Sequence, residues 1–177
     1  MIEIRVADAA WRSALPDMRA LSRRAVEAAL AVAPPLPAGP KAELSLLFAN
    51  DEAMRALNRD FRGKDKSTNV LAFANLDVVD GATPVAPGDQ VMLGDVVLAL
   101  ETVRNEAVKA RKPLGHHVSH LIVHGVLHLL GFDHQKAREA LAMEALERAA
   151  LARLGIDDPY EAAQPLRTTR GRRPVMA

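Results

Sequence analysis

The alternation of apolar and polar residues along the chain predicts four β-strands. Ile2, Ile4 and Val6 alternate with charged residues, which is the pattern of a half-buried strand. Three further apolar runs cover residues 43–49, 69–74 and 92–100. The last run is almost continuously apolar, so we expect it to lie in the centre of the sheet with both faces covered.

Helical spacing of the apolar residues predicts five helices. One covers residues 16 to about 33, and another begins after Asn50 and ends at Gly63. The other three are expected at residues 101–111, 116–130 and 135–154. The second of these is apolar on nearly every side, which predicts that it is buried. Segments 34–40 and 80–89 are rich in proline and glycine and are expected to be connectors.

Length and composition indicate one compact globular domain. The 177 residues are 49% hydrophobic and 25% charged, which is enough apolar material for an ordinary core. We expect the domain to cover residues 1–155 and the rest, 156–177, to be a C-terminal extension. From Leu166 onward the extension holds four arginines and no acidic residue, so we expect a flexible, solvated tail.

The cellular location is predicted from what the sequence lacks. The N-terminus has an acid at position 3 and no apolar signal segment, and the most apolar stretch, 121–132, is too short to cross a membrane. The chain has no cysteine, which excludes disulfides and thiolate metal ligands. We expect a cytoplasmic protein without a membrane partner.

All six histidines fall between His116 and His134, a concentration that indicates a metal site. His124 and His128 are four residues apart and therefore project from the same face of a helix. Gly131 can turn the chain back, so that His134 reaches the same ion. Three neutral imidazoles with an open fourth position are typical of a catalytic zinc site, and we expect one Zn²⁺ per chain.

The remaining histidines carry weaker signals. His120 lies one helical turn before His124, where it is placed either to support a ligand or to face a substrate. His116 and His117 lie at the helix entrance, where surface or capping roles are expected. Nickel, copper and iron are alternative occupants of a three-imidazole site.

The spacing H-x3-H-x2-G-x2-H is also that of metzincin metallopeptidases, with one difference. Those enzymes carry a glutamate general base directly after the first histidine, where this chain has Gly125. The missing carboxylate disfavours peptide hydrolysis. Asp133 is the nearest carboxylate in the sequence, and it is a candidate either to orient a ligand imidazole or to accept a proton.

A basic strip between Arg55 and Lys66 contains five basic and two acidic residues. Arg62 lies at a helix end, where a guanidinium can bind a phosphate through two hydrogen bonds. Arg59 and Lys64 flank it and are further candidates for phosphate contacts. An ordinary solvated helix face is the alternative interpretation of the strip.

Three blocks join the two sets of candidates. They are HGVLHLLGFDH at 124–134, RGKDKSTNVLAF at 62–73 and LGDVVLA at 93–99. Together they resemble the signature blocks of the YbeY family of bacterial ribosomal RNA maturation endoribonucleases. The resemblance runs in order from about Ile2 to Gly155 and includes the stretch 140–147. Departures from the family pattern fall at positions that are not candidate ligands, namely Ala72, Ala74 and Phe132.

The resemblance implies an α+β fold with a small mixed sheet of about four strands, about five flanking helices and a zinc site on a central helix. It implies a single-strand-specific, metal-dependent endoribonuclease that matures the 3′ end of 16S ribosomal RNA and acts in ribosome quality control. The implied ligands are His124, His128 and His134, and the functional arginine of the family corresponds to Arg62. The implied partners are single-stranded ribosomal RNA, the small ribosomal subunit and its assembly factors, and Arg59 and Lys64 become candidates for RNA contacts.

The resulting hypothesis joins the metal to the arginine. Zinc activates a water, Arg62 binds the scissile or a neighbouring phosphate, and Gly125 leaves space for the RNA backbone. Attack by water and attack by the RNA 2′-hydroxyl both stay open. Two other functions are alternatives: a metzincin-like metallopeptidase, and a non-catalytic ribosome assembly factor whose metal only stabilises the fold.

Overall fold

The computed structural model describes residues 1–36, 41–75, 77 and 84–161. Within these residues the chain forms an α+β fold with four strands and six helices. The strands are β1 (Ile2–Val6), β2 (Lys41–Ala49), β3 (Val70–Ala74) and β4 (Gln90–Ala99). The helices are α1 (Ala10–Ala14), α2 (Met18–Val32), α3 (Asp51–Arg62), α4 (Leu100–Lys109), α5 (Leu114–Leu129) and α6 (Ala137–Arg153).

The sheet is mixed and its strands lie in the order β1-β2-β4-β3. β1, β2 and β4 are parallel, whereas β3 runs antiparallel to β4. β4 lies between two strands, which confirms the central position expected from its apolar run. β3 pairs with β4 on one side only and forms an edge of the sheet.

Helices cover both faces of this sheet. α5 packs on β3 and β4 and also contacts α2, α4 and α6, and most of its residues are buried. This central position explains why its sequence is apolar on nearly every side. On the other face, Met54 of α3 belongs to a smaller apolar cluster that includes Leu71 and Val97. The two helices therefore stand on opposite sides of the edge strand β3.

Helix α1 is the element that the sequence pattern did not predict. It has only five residues, and a helix of this length is not stable by itself. Its Trp11 is fully buried, and the indole N–H donates a hydrogen bond of 2.7 Å to the carbonyl oxygen of Ala49. A tertiary contact therefore stabilises this short helix.

Several element ends also differ from the prediction. α5 begins at Leu114 because Pro113 occupies the position before its first turn, and α2 begins at Met18 because Pro16 lies in the preceding turn. At the other end of the chain, Arg148 forms an ion pair of 2.9 Å with Asp158, so the first residues of the predicted extension pack against α6.

The arginine-rich tail and parts of both predicted connectors lie outside the described residues. In the described ranges, no helix is long and apolar enough to cross a membrane.

Candidate metal centre and adjoining cleft

Helix α5 presents two imidazoles side by side near its C-terminal end. The four-residue spacing places His124 and His128 on one face, and their Nε2 atoms lie 3.0 Å apart. Both side chains are only partly exposed, because the rest of the helix is packed in the core. The backbone of a buried helix thus gives these two nitrogens a fixed separation.

The turn after α5 brings a third imidazole to the same point. Gly131 has a φ of 89°, a left-handed conformation that suits glycine, and it reverses the chain directly after the helix. The ring of His134 then lies with its centroid 5.7 Å from that of His124 and 5.1 Å from that of His128. One ligand atom from each of the three histidines lies within 4.8 Å of the others.

The hydrogen-bond partners of two rings determine which nitrogen is free. Nδ1 of His124 lies 2.5 Å from the carboxylate of Glu147, and Nδ1 of His128 lies 2.9 Å from the carbonyl oxygen of Phe132. Both partners are acceptors, so each Nδ1 carries the proton and each Nε2 keeps a lone pair when the ring is neutral. Burial, followed by the neighbouring His124 and His134, lowers the pKa of His128, which favours that neutral form.

This donor set fits a metal cation. Two Nε2 lone pairs 3.0 Å apart repel each other unless a proton or a cation lies between them. In a regular tetrahedral zinc site with metal–nitrogen bonds of about 2.0–2.1 Å, two ligand nitrogens are about 3.3 Å apart. The observed separation is close to that value, and the protons on the Nδ1 atoms point away from the site. The three histidines are therefore positioned to bind one metal ion.

Glu147 supports the site from α6. Its side chain is 1% exposed and accepts hydrogen bonds from His124, from Nε2 of His120 at 3.0 Å and from the hydroxyl of Tyr160. Burial by itself would raise the pKa of this carboxyl, but the three donors outweigh burial and lower the pKa to about 2. Burial and then the carboxylate raise the pKa of Tyr160. Glu147 is consequently a carboxylate, and the two histidines and the tyrosine satisfy it.

No role for Glu147 was predicted from the sequence. Glu147 lies on the same helix face as the buried residues Met143 and Leu151. A charged residue on an apolar face needs hydrogen-bond partners, and this pattern could have indicated a functional role for Glu147. Glu147 is also the contact of His120. His120 is not one of the three metal-positioned histidines, and it bonds to the carboxylate that orients His124. This contact favours a supporting role for His120 over contact with substrate, and the role stays a prediction.

A cleft of about 720 Å³ opens beside the three histidines. One wall is the segment 68–74, which contains the edge strand β3, and the other is α5 with the turn that follows it. Arg62 lines the same cleft, so the structure brings the predicted arginine and the predicted ligands together. Asp133 also lines it, with its side chain 43% exposed, and its Oδ1 accepts the backbone N–H of His134 at 2.7 Å.

The end of α3 is fixed by one buried amide. Gly63, in a left-handed conformation with φ 66°, ends the helix directly after Arg62. Asn58 is 1% exposed, its Nδ2 donates to the carbonyl oxygen of Lys66 at 2.8 Å, and its backbone carbonyl oxygen accepts the N–H of Lys64. The loop that follows Arg62 is thus held against the helix.

The charges of the basic strip are partly paired. Arg55 binds Asp65 through two hydrogen bonds of 2.8 and 2.9 Å, which lower the pKa of that exposed carboxyl, and Arg59 lies 3.0 Å from Asp60. Neither Arg59 nor Lys64 is among the residues that line the cleft. Their contact with RNA phosphates stays a prediction.

His116 and His117 lie away from the metal centre. Nε2 of His117 contacts Glu106 on α4 at 2.7 Å, and Glu106 also accepts the amide N–H of Asn69. Asn69 lines the cleft, and its Oδ1 accepts the N–H of Val70 at 2.7 Å. His117 therefore braces the start of β3, a role that the sequence did not indicate.

The position that a Cβ would take at Gly125 is directed at the sheet. A Cβ at this position would lie 2.6 Å from Cγ1 of Val96 on β4, so glycine is needed for the close packing of α5 on the sheet. Gly125 also lines the cleft, so the hypothesis that it leaves space for an RNA backbone stays a prediction. The same contact leaves no room for the glutamate that metzincin peptidases carry there, which argues against peptide hydrolysis.

Comparisons with known proteins agree with the resemblance of the three sequence blocks. The family model described as Endoribonuclease YbeY matches residues 7–155. An endoribonuclease YbeY from Paramagnetospirillum magneticum is 54% identical over 151 residues, which cover 85% of this chain and 90% of that relative. An endoribonuclease YbeY from Rhodospirillum rubrum is 49% identical over 162 residues, which cover 89% of this chain and 80% of that relative.

The fold has a counterpart among solved structures. The solution structure of a protein from Thermotoga maritima matches 92% of this chain and 100% of its own length, with a TM-score of 0.50 and 18% identity. At that identity the likeness concerns the fold alone. The family model and the two relatives, in contrast, cover most of the chain, including the metal centre and Arg62. This chain belongs to the YbeY endoribonuclease family.

Proposed function

We propose that this protein is a metal-dependent endoribonuclease that cleaves single-stranded RNA, acting in the maturation of the 3′ end of 16S ribosomal RNA and in ribosome quality control. The observation that carries the proposal is that Arg62 and the three metal-positioned histidines line one cleft. A guanidinium and a metal site in the same cleft suit a substrate with a phosphate group, because both attract its negatively charged oxygens. Membership of the YbeY endoribonuclease family supports RNA as that substrate.

The proposed metal is Zn²⁺, one ion per chain, held by His124, His128 and His134. Three nitrogen donors without thiolates suit zinc and leave a coordination position open. Within the described residues, one group of side chains is positioned to hold a metal, which supports the stoichiometry. A zinc ion bound there supplies a Lewis acid for a phosphoryl oxygen and lowers the pKa of a water.

The residues around the metal centre have separate tasks. Arg62 donates hydrogen bonds to the scissile or a neighbouring phosphate and offsets the negative charge that develops during attack on phosphorus. Glu147 and the carbonyl of Phe132 hold the Nδ1 protons of two ligands and so fix the orientation of both rings. Asp133 lines the cleft with a partly exposed carboxylate and is the proposed acceptor of the proton of the attacking water.

Attack by water is the proposed route. The water oxygen forms a bond to phosphorus as Asp133 accepts its proton, the bond from phosphorus to the leaving ribose oxygen breaks, and that oxygen takes up the proton from Asp133. The products are two strands with a linear phosphate monoester at the cut. Attack by the 2′-hydroxyl would instead leave a 2′,3′-cyclic phosphate, so analysis of the new ends distinguishes the two routes.

The proposed partners follow from the substrate. They are single-stranded ribosomal RNA, the small ribosomal subunit and the assembly factors bound to it. A cytoplasmic location is proposed for the same reason, because bacterial ribosomal RNA is processed where ribosomes are assembled.

The test combines metal analysis with cleavage of a single-stranded RNA that contains the 3′ end of the precursor. We expect about one zinc per wild-type chain and cleavage of the strand, but not of its duplex. His128→Ala should lose both metal and cleavage. His116→Ala is the matched control, because this histidine lies outside the metal-positioned group, and it should keep both. Cleavage by His128→Ala at the wild-type rate would contradict the proposal.

A further inference from the structure

An aromatic side chain beside Arg62 is exposed to an unusual degree. Along α3 the apolar positions Met54 and Leu57 face the sheet, and helical spacing places Phe61 on the same stripe. Met54 is fully buried, whereas Phe61 is 69% exposed. The stripe thus extends past the edge of the sheet, and its last member meets solvent.

Phe61 is backed by a second aromatic ring. Its centroid lies 5.2 Å from that of Phe73 on β3, with an angle of 66° between the ring planes. Alternation along β3 directs Ala72 and Ala74 towards the metal cleft and Phe73 towards the face that carries α3. The two rings therefore lie directly across the edge strand from the cleft, and an edge-to-face contact keeps one face of the exposed ring free.

The charge around Phe61 is positive. In the part of the chain that the structure describes, Arg62, Lys64 and Lys66 have no carboxylate within ion-pair distance, whereas Arg55 and Arg59 are each paired with an aspartate. All three unpaired cations belong to the end of α3 and the loop held by Asn58. An exposed ring set among unpaired cations suits a ligand with both phosphates and flat faces.

We propose that Phe61, backed by Phe73, is a stacking platform for an unpaired nucleobase next to the phosphate that Arg62 holds. The proposal rests on the proposed function, because it places the base on the strand that is cleaved. Aromatic side chains stack with every base, so the platform does not require a particular sequence. Bases in a duplex are stacked on each other and are not free to occupy it, so the platform favours single strands.

The test uses fluorescence from a tryptophan placed on the platform. Phe61→Trp provides the probe, and the single natural tryptophan, Trp11, is fully buried and serves as an unchanging background. The ligands are a single-stranded 2′-O-methyl oligouridine of about 12 nucleotides and an abasic strand with the same number of phosphates. We expect the oligouridine to quench the new tryptophan and the abasic strand not to do so.

Two control variants separate stacking from attraction by charge. Glu3→Trp places an exposed tryptophan on β1, the opposite edge of the sheet, and removes a negative charge, so it should bind the strand at least as well without quenching. Phe61→Ala should bind the oligouridine roughly 5- to 100-fold more weakly than wild type and the abasic strand equally well. Phe61→Tyr should keep the wild-type affinity.

The outcomes distinguish this inference from the proposed function. Equal quenching by the two strands, or equal binding of oligouridine by Phe61→Ala and wild type, would overturn the platform while cleavage by the wild type still supported the nuclease. The platform would also be overturned if Phe61→Ala bound RNA normally but no longer bound the small ribosomal subunit. That result would indicate that Phe61 contacts a protein. A wild-type protein that neither binds nor cleaves single-stranded RNA would overturn both.

Discussion

Oε1 of Glu147 lies 2.5 Å from Nδ1 of His124, so a buried carboxylate on α6 orients a metal-positioned imidazole on α5. Such outer hydrogen bonds fix the tautomer and raise the basicity of the ligand. Because the same carboxylate also accepts from His120 and Tyr160, Glu147 connects two further side chains to the metal centre.

Glu147→Gln should weaken metal binding by about 10- to 100-fold, because the neutral amide cannot match the carboxylate as an acceptor for three donors. Competition with a chromogenic chelator measures the change. The matched control is Glu144→Gln on the same helix, whose carboxylate lies 3.5 Å from Arg148 and is not among the partners of His124. Equal affinities of the two variants would contradict a role of Glu147 in orienting the ligand.

Arg62→Ala should keep its metal but lose cleavage by about 100-fold or more, because a positioned donor to the phosphate is removed. Arg62→Lys should recover only part of the rate, since an ammonium group cannot form the paired hydrogen bonds of a guanidinium. Single-turnover cleavage and metal analysis of the same preparations provide the measurement. Arg23→Ala, an exposed arginine on α2, is the control. A wild-type rate for Arg62→Ala would exclude the proposed role.

Replacing Gly125 should have opposite effects in two backgrounds. In wild type, Gly125→Ala should destabilise the protein by about 1–3 kcal/mol, because the new Cβ overlaps a stiff, β-branched Val96. In a Val96→Ala background the overlap is gone, and alanine should stabilise the helix by up to about 1 kcal/mol.

Chemical denaturation of the four proteins measures both differences. The sign change between backgrounds is the expected result, since the two residues are in contact and their effects are not additive. If Gly125→Ala is equally harmful with and without Val96, the tight contact does not explain the glycine.

Removal of the metal should leave a folded protein that is inactive. The core around α5 is built from apolar residues and does not depend on the histidines, whereas His134 is 59% exposed and lies in the turn after the helix. We expect the circular dichroism spectrum at 25 °C to be unchanged in excess chelator. The melting temperature should fall only by the amount that corresponds to the lost free energy of metal binding. Re-addition of zinc should restore cleavage. Cooperative unfolding on chelation would favour the non-catalytic alternative, in which the metal only stabilises the fold.

The sequence was sufficient for those features that depend on local geometry. His124 and His128 are one helical turn apart, and Gly131 reverses the chain three residues later, so short-range rules place all the metal-positioned nitrogens together. The central strand β4 was likewise evident from its continuous apolar run.

Features that depend on contacts between distant elements were missed. Glu147 is 23 residues from His124, and their contact exists only because α6 packs on α5. The reason for Gly125 is Val96 on another element, and a missing side chain looks the same in a sequence whether it faces substrate or sheet. Trp11 and the short helix α1 belong to the same class, because the partner of the indole is a backbone carbonyl on β2.

The packing of Gly125 on Val96 constrains how this family can evolve. A chain with this fold cannot acquire the glutamate base of a peptidase through one substitution, because the side chain would first have to displace a fully buried residue of the central strand. Any relative with a larger residue at the position of Gly125 is therefore expected to carry a smaller one at the position of Val96. A buried valine of the central strand thus helps to determine which bond the metal centre can be adapted to break.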